Sequence, residues 1–143
     1  MDCAIESGVA RVLVVDDDKP LHSLIESLLR RYSVVVEHEF DGALAVRRLR
    51  REAFDAIVVD LMLPGMNGFE LISELKQWDP AMLSRTVVVT AAAESILRQF
   101  KDASLVRRVI RKPFEISDFT HELLLCAGAI PRFATVALDQ HPH

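Results

Sequence analysis

Three carboxylates, a hydroxyl and an ammonium punctuate this chain of 143 residues at the ends of its apolar runs. Asp16 and Asp17 follow Val12-Leu13-Val14-Val15, and Asp60 follows Ala56-Ile57-Val58-Val59. Thr90 closes Val87-Val88-Val89, and Lys112 comes after Val109-Ile110-Arg111. Short apolar runs rich in β-branched residues read as strands buried on both faces. If those strands are parallel, their ends lie along one edge of a sheet, and residues far apart in sequence become neighbours. Three carboxylates brought together repel unless a cation neutralises them. Oxygen-only donors favour a hard ion, Mg²⁺, which keeps several waters and takes one or two carboxylates plus a phosphoryl oxygen. A carboxylate can also attack phosphorus and form an aspartyl phosphate. Asp60 alone both ends a buried strand and precedes a turn, Pro64-Gly65, which presents it to a reactant. Thr90 and Lys112 could then bind the phosphoryl oxygens by hydrogen bond and point charge. Any one Asp at a strand end is more often a turn residue or a helix cap. It is their occurrence together at four strand ends that points to chemistry.

The elements that must position these residues alternate regularly. The spacing predicts strands over Arg11–Val15, Tyr32–His38, Asp55–Asp60, Thr86–Val89 and Val106–Arg111, the last less apolar and so at an edge. Between them fall helical stripes. Leu21, Leu24, Ile25 and Leu28 follow Asp18 as N-cap, with Pro20 in the first turn. Ala45, Val46 and Leu49 follow Asp41-Gly42. Leu71, Ile72, Leu75 and Trp78 follow Asn67 as cap. Ile96, Phe100 and Ala103 mark a helix over Ser95–Ala103. Ile116, Phe119, Leu123 and Cys126 mark one over Glu115–Ala127, stopped by Gly128. Five repeated βα units imply one parallel sheet with helices on both faces. Residues 1–10 read as a lead-in, 11–128 as the domain, and 129–143, with Pro131 and Pro142, as a tail without pattern. Whether the chain stands alone or leads into an effector is left open.

Composition narrows the class. Half the residues are hydrophobic and the formal net charge is -4, which argues for a single folded domain and against a general nucleic-acid binder. The basic cluster Arg47-Arg48 with Arg50-Arg51 reads as a solvated helix face. His22 and His38 read as solvent-facing and join no ligand cluster, and His141 and His143 fall in the tail. Cys3 and Cys126 form neither a metal spacing nor a disulfide framework, and Cys126 lies on an apolar stripe. No run reaches the length of a membrane helix, and the N-terminus is not a signal peptide. The chain is expected to be soluble, reduced and cytoplasmic, without a membrane contact.

Four motifs in order, VLVVDDDKP, FDAIVVDLMLPGMNGFELI, VVVTAAA and RKPF, resemble the receiver domain of two-component response regulators over about Arg11 to Ala127. The resemblance implies a flavodoxin-like, doubly wound, five-stranded sheet of order 2-1-3-4-5. It makes Asp60 the phosphoacceptor, Asp17 a direct Mg²⁺ ligand, Asp16 a supporting ligand through solvent, and Met62 a backbone-carbonyl ligand. Thr90 becomes the switch hydroxyl and Lys112 the phosphate-contacting lysine, and the Lys112-Pro113 bond is expected to be cis. The partners implied are a sensor histidine kinase or phosphotransfer protein, which supplies the phosphoryl group, and a downstream protein effector. The effector would be reached through the fourth helix, fifth strand and fifth helix. Regulatory receivers often pair through that same face, which leaves a homodimer open, with Arg98, Lys101, Arg107 and Arg108 against Asp102 and Glu122 as available charges.

The sequence departs from the family pattern at Val109, where an aromatic switch residue usually stands three positions before the lysine. Met62 and Ala92, two residues after Asp60 and Thr90, cannot hydrogen-bond an attacking water, so slow hydrolysis of the phosphorylated state is expected. Two other functions compete. In a haloacid-dehalogenase-type phosphatase, Asp16-x-Asp18 would be the motif and Asp16 the nucleophile, although no cap domain fits. In an unphosphorylated binding module the acidic residues would be idle.

Overall fold

The computed structural model describes residues 9–128. The readings made for residues 1–8, Cys3 among them, and for the tail beyond residue 128 lie outside the described residues. Ala10, read as part of the lead-in, opens the first strand and is buried.

Five strands, β1 (Ala10–Val15), β2 (Val34–Glu39), β3 (Ala56–Val59), β4 (Thr86–Thr90) and β5 (Arg108–Arg111), form one sheet of order β2-β1-β3-β4-β5. Every neighbouring pair is parallel. The order is the one the resemblance implies, and β5 is an edge strand as its mixed composition predicts. The helices are α1 (Lys19–Leu29), α2 (Gly42–Arg51), α3 (Gly68–Trp78), the single turn α4 (Glu94–Leu97) and α5 (Ile116–Ala127), with a 3₁₀ segment over Pro80–Arg85.

Strand side chains alternate between two cores, because successive residues point to opposite faces. Leu13, Val15, Ile57, Val59 and Val88 meet Ala45, Val46 and Leu49 of α2 and Leu71, Ile72 and Leu75 of α3. Val12, Val14, Ala56, Val58, Val87 and Val89 meet Leu21, Ile25 and Leu29 of α1 and Phe119, Leu123 and Cys126 of α5. All four residues of β3 are fully buried, as a central parallel strand requires. Asp18, Asp41 and Asn67 cap α1, α2 and α3 with their side chains, the last in a reciprocal capping box with Glu70.

Several expectations are corrected. The helix predicted over Ser95–Ala103 shortens to Glu94–Leu97, and Ala103 is exposed. Its cap, Ala93, offers no side-chain acceptor. Phe100 leaves the helical path to pack edge-on against Phe69, ring centroids 5.5 Å apart. Ile116 is the first helical residue of α5 and lies exposed, while Phe119, Leu123 and Cys126 are buried. Leu24 and Leu28 are only half-buried, because the inward face of α1 runs through Leu21, His22, Ile25 and Leu29. The strand predicted from Val106 begins at Arg108, and the one predicted from Tyr32 begins at Val34.

The basic cluster on α2 is not a uniformly solvated face. Arg47 and Arg51 are exposed. Arg48 turns onto Glu37, Glu39 and Glu52, and Arg50 pairs with Glu74 and lies 4.7 Å over the Trp78 ring.

Candidate functional site

β3 runs out at Val59, and Asp60 takes the next position with its backbone still held by the sheet, its N–H donating to the Val15 carbonyl at 3.0 Å. The loop beyond is pinned by Leu61 and Leu63, both buried, while Met62 between them points outward at half exposure. The helix α3 then returns tightly under Asp60. A Cβ on Gly68 would lie 2.3 Å from the Asp60 carbonyl oxygen, so only glycine permits this approach. The Gly68 N–H donates to the Leu61 carbonyl at 3.0 Å, and the loop is closed between strand and helix.

The other strand ends converge as the parallel order requires. Carboxylate oxygens of Asp16, Asp17 and Asp60 all lie within 4.8 Å of one another. The Lys112 ammonium donates to Asp16 Oδ2 at 3.0 Å and to Asp60 Oδ2 at 3.3 Å. The Lys112 backbone N–H donates to the Thr90 carbonyl at 2.9 Å, which brings the end of β4 to the same edge. The fully buried Thr90 accepts at Oγ1 from the Ala92 N–H at 3.2 Å. The Lys112-Pro113 bond is cis, as expected.

Asp16 is saturated with donors. Its Oδ1 accepts from the Asp18 N–H at 2.9 Å, its Oδ2 from Lys112, and its carbonyl from His22 Nε2 at 2.6 Å. Asp60 Oδ1 accepts from the Met62 N–H at 3.0 Å. Asp17, by contrast, is exposed at the mouth. Burial pushes the Asp16 carboxyl up to about 6, against the opposing hydrogen bonds from Asp18 and Lys112. Burial also works against the charge on Lys112, but Asp16 and Asp60 outweigh it and hold the ammonium above its ordinary value.

The donor set fits a hard divalent cation. It is oxygen-only, and three carboxylates against one ammonium leave two negative charges in balance with Mg²⁺. Asp18 is no part of that set. Its side chain caps α1, accepting from the Leu21 N–H at 3.4 Å, which leaves the haloacid-dehalogenase reading without its second acid.

His22 and His38 correct the reading most. Both were expected to face solvent. His22 is buried against Phe40, ring centroids 4.3 Å apart, and its Nδ1 lies 2.7 Å from Nδ1 of the half-buried His38. Burial lowers His22 below the ordinary histidine value. The available signal was position: His22 sits on the inward arc between Leu21 and Ile25.

The profile of the response regulator receiver domain family matches residues 12–124. The chain belongs to this family. The receiver is similar to the response regulator receiver protein CpdR of Brucella abortus, 29% identical over 113 residues that cover 79% of this chain and 92% of CpdR. It is similar to the transcriptional regulatory protein TcrA of Mycobacterium tuberculosis, 32% identical over 140 residues that cover 94% of this chain but only 53% of TcrA. Among solved structures, the receiver domain of the sensor histidine kinase PA1611 from Pseudomonas aeruginosa matches with a TM-score of 0.72 at 26% identity. That match covers 84% of this chain and 98% of the other, and the PA1611 domain was solved with magnesium coordinated in its active-site cleft. A receiver is a regulatory domain of two-component systems rather than a turnover enzyme, and its acidic cluster here is Asp16, Asp17 and Asp60. Among the described residues, no helix is long and apolar enough to cross a membrane.

Proposed function

We propose that residues 11–128 form a phosphorylation switch in which Asp60 accepts a phosphoryl group from a phosphohistidine on a sensor kinase or phosphotransfer protein. The observation that carries this reading is the placement of Lys112 between Asp16 and Asp60 beside an exposed Asp17. A carboxylate oxygen of Asp60 forms the new O–P bond as the P–N bond of the donor imidazole breaks, and the imidazole leaves with its electron pair and takes up a proton. Mg²⁺, held by Asp17, Asp60 and the Met62 carbonyl with Asp16 in support, would supply charge neutralisation of the phosphoryl oxygens. Lys112 moves from its carboxylate partners to those oxygens, and Thr90 donates its hydroxyl to them. These groups preorganise charge and perform no acid–base step. The magnesium reported in the PA1611 cleft supports the same ion here.

The phosphorylated state biases α4, β5 and α5 toward a second arrangement that a downstream protein effector reads in the cytoplasm. Val109 packs half-buried against the core of α2 and α3, so no aromatic ring reports from that position. Among the charges foreseen for a homodimer, Arg107 and Arg108 both bond Glu122 of their own chain, and Lys76 bonds Asp102. Pairing through that face would have to exchange these bonds.

The test is incubation with acetyl phosphate, with and without Mg²⁺, read as intact mass. Wild type is expected to gain one Mg²⁺-dependent phosphoryl group, and Asp60→Asn none. Wild type without an adduct would favour the unphosphorylated binding module instead.

A further inference from the structure

Behind the acidic loop a row of side chains runs from the surface to the backbone of Asp16. Glu26 Oε1 lies 2.9 Å from His38 Nε2, His38 Nδ1 lies 2.7 Å from His22 Nδ1, and His22 Nε2 lies 2.6 Å from the Asp16 carbonyl oxygen. Glu26 and His22 stand one turn apart on α1, and His38 projects from β2, where it is in register with Val14. The buried His22 ring also packs against Phe40, ring centroids 4.3 Å apart.

The chemistry of the two ends sets the protons. A carbonyl and a carboxylate only accept, so both outer ring nitrogens carry hydrogen. A histidine buried merely for packing would not need to direct its Nε2 at a backbone carbonyl 2.6 Å away.

We propose that His22, held by His38 and Glu26, is a positioning group that fixes the Asp16–Asp17 peptide and thereby aims the Asp17 carboxylate at the cation position. The proposal rests on the phosphoryl-acceptor reading above. Asp16 has both carboxylate oxygens bound and its N–H held by the Glu39 carbonyl at 3.2 Å, and the His22 hydrogen bond fixes the carbonyl of the peptide that leads into the exposed Asp17. Groups that orient ligands from behind typically contribute about 10–100-fold to metal affinity.

Two variants separate positioning from packing. His22→Leu fills the apolar space without a donor, and His22→Gln returns an N–H at similar reach. Mg²⁺ binding is followed by amide chemical shifts of Asp17 and Asp60 in each protein, and phosphorylation by acetyl phosphate is followed against Mg²⁺ concentration. His22→Leu is expected to remain folded and to need about 10-fold more Mg²⁺ for half-saturation in both measurements, and His22→Gln to recover most of that loss. Nitrogen-15 spectra of the metal-free wild type are expected to show hydrogen on His22 Nε2, facing the Asp16 carbonyl. Unchanged Mg²⁺ half-saturation in a folded His22→Leu overturns the proposal, and so does a His22 ring without hydrogen on Nε2. A wild type that binds Mg²⁺ but takes no phosphoryl group removes the acceptor reading alone, because the shift titrations still decide what His22 does. A wild type with no Mg²⁺-dependent shifts overturns the proposal itself.

Discussion

At one edge of the sheet Asp16, Asp17 and Asp60 cluster, and the Lys112 ammonium bonds Asp16 and Asp60. Toward the other edge Glu37, Glu39 and Glu52 share the guanidinium groups of Arg11 and Arg48, which lie 4.5 and 5.5 Å over the Phe54 ring. The two clusters titrate in opposite directions. Hydrogen bonds from Arg48 and then Arg11 pull the Glu52 carboxyl down to about 2, whereas burial pushes Asp16 up to about 6. The paired cluster stabilises the fold. The acidic cluster is left short of positive charge, as a site must be if a cation and a phosphoryl group are to arrive there. The same side-chain type thus serves structure where its partners are complete and function where they are missing.

The largest effect that could break this contrast is on the paired side. Removing one member of a buried pair costs about 3–5 kcal/mol. The Arg48 cluster keeps part of its surface in water, with side chains 19–30% exposed, so Arg48→Ala is expected to lose about 2–3 kcal/mol. Urea denaturation measures this, and acetyl phosphate labelling should proceed as in wild type. A loss under about 0.5 kcal/mol would make the cluster no more than a set of surface pairs.

The acidic side should respond with the opposite sign. In the metal-free protein Asp16 titrates at about 6 rather than at 3.8. A raised carboxyl means that the folded chain holds the proton more tightly than the unfolded one. The stability tied to that proton is fully present below about pH 4 and is lost as the pH rises through about 6. At roughly 1.4 kcal/mol per unit the ceiling is about 3 kcal/mol, and relaxation brings the expectation to about 2. Asp16→Asn is therefore expected to be more stable than wild type near neutral pH by about 2 kcal/mol, with the difference closing below about pH 4. Denaturation curves taken across that range check it. No gain at neutral pH would mean that Lys112 already balances the cluster.

The pattern of apolar runs makes the frame of this contrast legible in the sequence. Buried strands force Asp16, Asp60, Thr90 and Lys112 to one edge once the sheet is parallel, and period 3.6 places Leu71, Ile72 and Leu75 inward. What escapes the sequence is polar burial. Arg48 looks like its exposed neighbours Arg47 and Arg51 until β2 brings Glu37 and Glu39 beside it. His22 looks like a surface residue because its partners, the Asp16 carbonyl and His38, come from a backbone atom and from a strand sixteen residues away. The α4 segment escapes for a different reason. Ile96, Phe100 and Ala103 keep helical spacing, but the demand of Phe69 for the Phe100 ring overrides local propensity.

A smaller effect sharpens the assignment of the acidic edge. Mg²⁺ at about ten times its dissociation constant is expected to stabilise wild type by about 1.4 kcal/mol. Thermal melts should show the same increment in Arg48→Ala, whose lesion lies away from the carboxylates, and almost none in Asp17→Asn. An equal increment in Asp17→Asn would remove Asp17 as a ligand.

The smallest expected effect concerns the lifetime of the phosphorylated state. Met62 is half-exposed at the mouth and Ala92 is buried beside Thr90. Neither offers a polar atom to orient a water toward Asp60. An amide at position 62 would add one hydrogen bond to the attacking water, worth about 1 kcal/mol and so about 5-fold in rate. Met62→Asn is expected to shorten the life of the adduct by that factor, followed by intact mass after the phosphodonor is removed, while urea stability stays near the wild-type value because the half-exposed side chain belongs to neither core. An unchanged rate would mean that water reaches Asp60 without help from this position. A change in stability of the same size as the change in barrier would join the lifetime of the switch to its folding, and the separation between the two edges would no longer hold.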